Sequence, residues 1–353
     1  MKKFRVLIVV CALAIGALST APSFAAVRAG SSCAPAKTVL VEAGVRYTCV
    51  KSGTRTVWSS GTRCKNPGEI SLISGKRYLC EAIGSRTVLT ETKYLWVDEF
   101  NGAAGTAPAS NKWTPVYGTG WPLIGWGNNE LESYEDYANR MDGDGSLVIT
   151  ASRSKSLNSA TSGVMSQWVS GKITTVNSVN FQYGKLEARI KVPAGAGTWP
   201  AFWMLGDRYP TVPWPWSGEI DILEGKGSQP SKIWQTAHGP AGGGAKASLP
   251  TSNVFDSRMN LYSEFHTFGI QWKPNQLQWT FDGDVISTIT KSQWDSISDA
   301  DYPFNRPFYA ILNLAMGGDF AGGVSGALSR AEMKIDWVHY SQFSGFGKVI
   351  KKK

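Results

Sequence analysis

The chain has 353 residues, a formal net charge of +9 and 42% hydrophobic residues, with 38 glycines and 15 tryptophans. Abundant Gly and Trp with few long amphipathic helical patterns suit a secreted all-β protein of one large domain plus a small module. The positive balance does not make it a nucleic-acid binder, because no helical reading motif accompanies the charge.

Residues 1–25 read as a signal peptide. Met1-Lys2-Lys3 opens a basic start, an apolar run extends from Val6 to Leu18, and small residues continue to Ala25-Ala26. The run is too short for a membrane span, and cleavage is expected near Ala25. No later run is apolar enough to cross a bilayer, so a secreted, extracellular protein is expected.

Residues 26–95 carry Cys33, Cys49, Cys64 and Cys80, and no cysteine follows them. An even number in a short exported segment predicts disulfides. Zinc is disfavoured by the wide spacings and the lack of a histidine among them. The cysteines expose a duplication of period 31: Arg46-Tyr47-Thr48-Cys49 recurs as Arg77-Tyr78-Leu79-Cys80, and Arg55-Thr56-Val57-Trp58 as Arg86-Thr87-Val88-Leu89. Four cysteines allow three connectivities, and the repeat favours Cys33–Cys49 with Cys64–Cys80. Each repeat reads as a small hairpin-like module that needs its staple. From Ala26 to Trp96 there are 11 Lys and Arg against 4 Asp and Glu. Such an appendage would contact an anionic cell wall, or serve only as a soluble spacer.

Residues 96–345 form the large domain. Strand signals alternate with Gly, Asn, Asp and Pro turns, as in Ser146–Thr150, Gly184–Lys191 and Gln278–Gly283, which indicates a β-sandwich or barrel. Ser292–Ala300 reads as a short surface helix or loop. From Val97 to Gly347 the balance is net acidic, 18 Lys and Arg against 23 Asp and Glu. Residues 346–353 form a basic tail with Lys348, Lys351, Lys352 and Lys353.

Glu219-Ile220-Asp221-Ile222-Leu223-Glu224 carries the chemistry. On a strand the period of two puts Glu219 and Asp221 on one face and Ile220 and Ile222 on the other. Glu224 is out of phase and rejoins the acidic face only if a β-bulge sits near Leu223. Three acids crowded together raise at least one pKa and leave another ionised, which is what glycosidic bond cleavage requires. A solvent-exposed acidic strand edge is the plainer alternative. Trp199-Pro200-Ala201-Phe202-Trp203 and Trp214-Pro215-Trp216 close by speak against it, because indole rings stack on the apolar faces of sugars.

Trp203 and Trp214 are the best stacking platforms, whereas Trp199 reads as core. Asn128 and Asn129 are candidates for sugar hydroxyls, Arg189 points either into a cleft or to solvent, and His238 follows the acidic strand. His266 reads as a core hydrogen-bonder and His339 as a surface residue. No Gly-x-Ser-x-Gly elbow stands with credible partners, and the glycines fall in turns, so neither a serine hydrolase nor a nucleotide enzyme is supported.

Six collinear segments resemble glycoside hydrolase family 16, in its laminarinase branch of endo-β-1,3-glucanases. They are Asp98–Gly102, Gly125–Glu132, Tyr183–Arg189, Gly197–Trp203, the Glu219 motif and Phe308–Gly318. The resemblance implies a jelly-roll sandwich of two curved antiparallel sheets and hydrolysis with retention of configuration. It implies Glu219 as nucleophile, Glu224 as general acid/base and Asp221 as the residue tuning them, with carboxyls about 5–5.5 Å apart. It also implies a structural calcium held by Glu99, the Gly145 carbonyl and Asp336, and no cofactor for catalysis. The expected partner is β-glucan, acted on by a monomer. A mixed-linkage β-1,3-1,4-glucanase and a non-catalytic β-glucan-binding protein are the alternatives, and the intact acids argue against the second.

Overall fold

The computed structural model describes the strands lying between residues 39 and 91, and residues 94–120, 122–154, 166–255, 261–262 and 264–352. The chain divides into two units, Met1–Glu91 and Thr92–Lys353.

In the first unit the duplication is visible in the backbone. Strands Val39–Glu42, Val45–Ser52 and Arg55–Ser60 make one three-stranded sheet, and Ile70–Ile73, Lys76–Ile83 and Arg86–Glu91 make another. Both sheets are antiparallel, and their strands have the same three lengths in the same order. Each repeat is thus a three-stranded meander, one strand more than a hairpin. The expected bridges depend on Cys33 and Cys64, which lie outside the described residues, as does the signal peptide.

The second unit is two packed sheets. Seven strands of the nine-stranded sheet follow the order Lys246–Val254, Lys232–Pro240, Glu219–Gly225, Thr198–Gly206, Phe308–Met316, Lys172–Thr174, Thr114–Pro115. The ten-stranded sheet runs Asp284–Thr290, Gln276–Phe281, His266–Lys273, Gly184–Lys191, Arg330–Ser341, Leu147–Arg153, Trp168–Ser170, Glu132–Tyr134, with Asn139–Met141 added on Leu147–Arg153 and Tyr94–Asp98 on Arg330–Ser341. Pairing is antiparallel except between Trp168–Ser170 and Glu132–Tyr134, which run the same way after a long crossover. Lys348–Lys351 pairs with Val179–Gln182, so the basic C-terminus belongs to the sheet and is no loose tail.

Period-two burial makes the core. Along Gly184–Lys191 the residues alternate buried and half-buried, and Leu186, Ala188 and Ile190 supply the buried face. Phe308–Met316 is buried throughout, for two different reasons. Phe308, Ala310, Leu312 and Leu314 enter the main core between the sheets. Tyr309 and Ile311 point the other way, where with Leu205, Trp203 and Val176 they make a small second cluster. That second face carries the candidate site. The short helix Lys291–Asp295 falls where the sequence suggests, opened by a capping box between Thr290 and Gln293.

Candidate active site

The acidic strand is bulged where the carboxylate spacing requires it. Against the neighbouring Thr198–Gly206 strand, Leu223 pairs with Phe202 and Asp221 with Trp203, so Ile222 is the extra residue. The register against Lys232–Pro240 shifts over the same stretch, between Asp221 and Glu224. Ile220, Ile222 and Leu223 all sink into the main core, and Glu219, Asp221 and Glu224 share the opposite face. A bulge disturbs the ladder and leaves backbone groups in need of partners. The Asp221 carbonyl finds one across the core, accepting a 2.7 Å hydrogen bond from Nε1 of the fully buried Trp279 in the other sheet. Trp279→Phe should therefore cost about 1–3 kcal/mol, because a buried carbonyl loses its donor. Urea unfolding read beside kcat will show whether stability and activity fall together, as a bulge held from behind demands.

His238 closes the cluster from the next strand, paired in register with Glu219. Its Nδ1 lies 2.7 Å from Ser248 Oγ, and its Nε2 is 3.2 Å from Asp221 Oδ2 and 3.8 Å from Glu219 Oε1. The Asp221 contact is within ion-pair distance but lacks hydrogen-bond alignment, so Oδ2 is buried without a hydrogen-bond partner among the described residues. Trp199 Nε1 donates to Glu224 Oε1 at 3.0 Å. Glu219 and His238 each keep 18% of the side chain accessible, which is the opening of the cleft.

Burial dominates the electrostatics. It pushes the carboxyls of Glu219, Asp221 and Glu224 up, each to about 8. Mutual repulsion adds to this at Glu219 and Glu224, through Asp221 in both cases. Opposing it, His238 and Lys172 favour the ionised form of Glu219, while His238, the Trp199 N–H and Lys226 favour that of Glu224. Burial lowers the His238 pKa despite the nearby acids. The cluster can thus hold protons at neutral pH and release one readily when a cation or reacting centre approaches.

One side of the cleft is a polar and aromatic wall. Trp203, half-buried, donates from Nε1 to Asn313 Oδ1 at 2.7 Å; Asn313 Nδ2 donates to Tyr134 OH, and that hydroxyl donates to Glu130 Oε2. The chain of bonds fixes the Trp203 ring. Lys172, buried, lies 4.2 Å from the Trp126 ring centroid and 5.1 Å from that of Trp203. Glu132 is fully buried with Oε2 accepting from the Met316 amide, and its pKa is pushed up by burial and then by Glu130. Asn129 Nδ2 donates to Asp319 and the Asn128 carbonyl accepts from the Asp319 amide, which ties this loop to the short Gly318–Ala321 helix, while Asn128 Nδ2 donates to Glu130 Oε1 within the loop. Gly318 has φ +75°, and a Cβ there would meet the Asn128 carbonyl at 2.8 Å, which only glycine avoids. Trp214 stands at the cleft edge, 39% exposed, its ring 6.2 Å from that of His238.

A family model for glycosyl hydrolases family 16 matches residues 134–339, more than half of the chain. The chain belongs to glycoside hydrolase family 16. A glucan endo-1,3-β-glucosidase of Cryptopygus antarcticus is 37% identical over 233 residues, covering 65% of this chain and 82% of that protein. A β-glucanase of Rhodothermus marinus is 32% identical, covering 69% and 83%. Among solved structures, the endo-β-1,3-glucanase of Pyrococcus furiosus superposes with a TM-score of 0.66 at 34% identity, covering 78% of this chain and 99% of that one. The fold is accordingly the family 16 jelly roll.

Two expectations need correction within this family 16 frame. Arg189 lies in the ten-stranded sheet, on the face turned from the core, where it bonds Asp336 Oδ2 at 2.5 Å and covers the Phe265 ring. It cannot reach acids borne by the other sheet. His339 is buried at 2% exposure, stacked on Trp337 at 4.0 Å, with Nε2 2.7 Å from Glu99 Oε1. For calcium, strand register does bring Gly145 and Glu99 near Asp336, since Leu147 pairs with Ile335 and Asp98 with Val338. Yet Arg189 engages the Asp336 carboxylate and His339 that of Glu99. A hard cation at this point would compete with Arg189 for Asp336 and with His339 for Glu99.

Trp199 and Lys172 were not expected at the site. Trp199 stands four residues from Trp203 on one strand, and that even spacing is the sign that both share the cleft face. Lys172 lies in a three-residue buried strand, where a lone ammonium needs nearby acids. His266 pairs with Asp282 at 2.8 Å, away from the acidic strand.

Proposed function

We propose that this chain is an exported endo-β-1,3-glucanase that cleaves laminarin-like glucan by retaining double displacement. The observation that carries the reading is the bulge at Ile222, which gathers Glu219, Asp221 and Glu224 on one cleft face. The family and the printed activities of its relatives supply the bond type. Glu219, faced by His238 and favoured in its ionised form by Lys172, attacks the anomeric carbon while the Glu224 carboxyl protonates the departing oxygen. The glycosyl-enzyme ester is then hydrolysed by water that Glu224, now ionised, deprotonates. Asp221 lies between them with a raised pKa, and its proton limits the charge gathered at one spot. Trp203 and Trp214 stack on sugar faces, and His238 with the Asn128 and Asn129 loop meets hydroxyls. No helix among the described residues is long and apolar enough to cross a membrane, and export rests on the N-terminal signal pattern.

The test is hydrolysis of laminarin and lichenan by the mature protein, with the first-formed anomer read by proton NMR. Internal cuts in laminarin that release the β-anomer first support the reading. Matching rates on lichenan would make it a mixed-linkage enzyme. Release of the α-anomer, or binding without cleavage, would overturn it.

A further inference from the structure

Beyond Glu224 the cleft changes character. Glu224 pairs in register with Trp234 on the neighbouring strand, and Gly225 with Ile233, so the next positions along are Lys226 and Lys232. Period two puts Lys226 on the face of Glu224, and Lys232 on that of Trp234. All four side chains are half-buried, unlike Gly225 and Ile233 between them. Phe320 completes the patch: its ring centroid lies 5.3 Å from that of Trp234 and 4.8 Å from that of Trp199, the residue that bonds Glu224. Lys226 Nζ sits 4.1 Å from the Phe320 centroid and 5.0 Å from that of Trp234, and Lys232 Nζ is 4.6 Å from Trp234. Among the described residues neither ammonium has a carboxylate within ion-pair distance.

Two cations that close no ion pair among the described residues, Lys226 acting on Glu224 only at longer range, sit beside stacked rings and make a site for a sugar that carries negative charge. The other side of the cleft is different, because the Lys172 ammonium is set among Glu130, Glu132 and Glu219. On the reading above, Glu224 protonates the departing oxygen, so the groups beyond it face the leaving-group sugar. We infer that this shelf recognises an anionic substituent, a carboxylate or an ester sulfate, on the sugar at the leaving-group side of a β-1,3-glucan. The inference rests on that assignment of Glu224. Half-exposed charge pairs of this kind favour a substituted sugar by roughly three- to tenfold.

Cleavage products record which side the charge occupied. The leaving-group sugar becomes a new non-reducing end, whereas the sugar on the nucleophile's side becomes a new reducing end. Laminarin with a minority of its residues oxidised to glucuronate at C6, and a second sample sparsely sulfated at C6, would be digested briefly and the chain ends sequenced by mass spectrometry. The charged sugar should appear about three- to tenfold more often at new non-reducing ends than at new reducing ends. Added salt should shrink that ratio. Lys226→Gln combined with Lys232→Gln should bring it towards one. The ratio is read within each protein's own products, so a slower variant still reports it. Enrichment of only one of the two substituents identifies the group the shelf accepts. A ratio of one in the unaltered protein, or an enrichment the double variant retains, overturns the inference while leaving cleavage of plain laminarin intact. Failure to cleave plain laminarin would instead remove the activity itself.

Discussion

Glu219→Ala will lose laminarin hydrolysis almost completely, by at least about 10⁴-fold in kcat, and azide will restore cleavage of an activated aryl β-glucoside as the α-glucosyl azide. The outcome follows from position. Glu219 lies 3.8 Å from His238 across the register, with Lys172 and His238 favouring its ionised form. Removing it opens a small cavity on the nucleophile's side, and azide enters there with inversion. Glu224→Ala should give the opposite stereochemistry. With an aryl leaving group that needs little protonation, the first step survives, and azide attacks the glycosyl-enzyme to give the β-azide. The two variants thus assign the two acids independently of any rate. The reverse pair, β-azide from Glu219→Ala and α-azide from Glu224→Ala, would mean that the roles of nucleophile and acid are exchanged. The same comparison tests the partner of Glu224: Trp199→Phe keeps a ring but removes the 3.0 Å hydrogen bond, so it should shift the pH profile of kcat more than KM.

The acidic strand was legible because its deviation from period two is itself informative. Three carboxylates at positions that a regular strand cannot unite demand a bulge, and the extra residue is Ile222, next to the Leu223 anticipated. The duplication was equally plain, because repeated Arg-x-x-Cys segments force repeated strands. What sequence periodicity cannot supply is the identity of the sheet. Arg189 and Trp203 both stand on alternating strands, and only the strand order sends one to the outer face and the other to the cleft. Buried polar residues were hidden for a related reason. Lys172, Glu132 and His339 look like surface residues until long-range pairing surrounds them with partners. Trp199 reads as core because indole rings usually are, yet its N–H serves an acid 25 residues further along the chain.

Asp221→Asn will make the protein more stable at neutral pH while removing most of its activity. Asp221 is 4% exposed, Oδ2 has no hydrogen-bond partner among the described residues, and burial holds its pKa at about 8 against an ordinary 3.8. A carboxyl whose pKa rises on folding binds its proton more tightly in the folded state. Its stabilising contribution is therefore complete below pH 3.8 and is lost progressively as pH climbs to about 8. At about 1.4 kcal/mol per pH unit, the ceiling on that loss by pH 7 is about 4 kcal/mol. Asparagine has no proton to surrender and keeps the shape, so it escapes the loss. Where Asp221 would ionise, towards pH 8, the substitution also spares Glu219 and Glu224 the charge that raises them both. Against these gains stands the new amide, which needs partners in a dry site, so a net gain of roughly 1–3 kcal/mol at pH 7 is expected. Urea midpoints measured for both proteins from pH 4 to pH 8 decide it. The variant should be the less stable protein near pH 4 and gain steadily on the parent above it, whereas a constant offset would show that packing at this position sets the difference and its charge does not. If the variant does gain with pH, the cluster is a strained device, kept for chemistry at the expense of the fold that carries it.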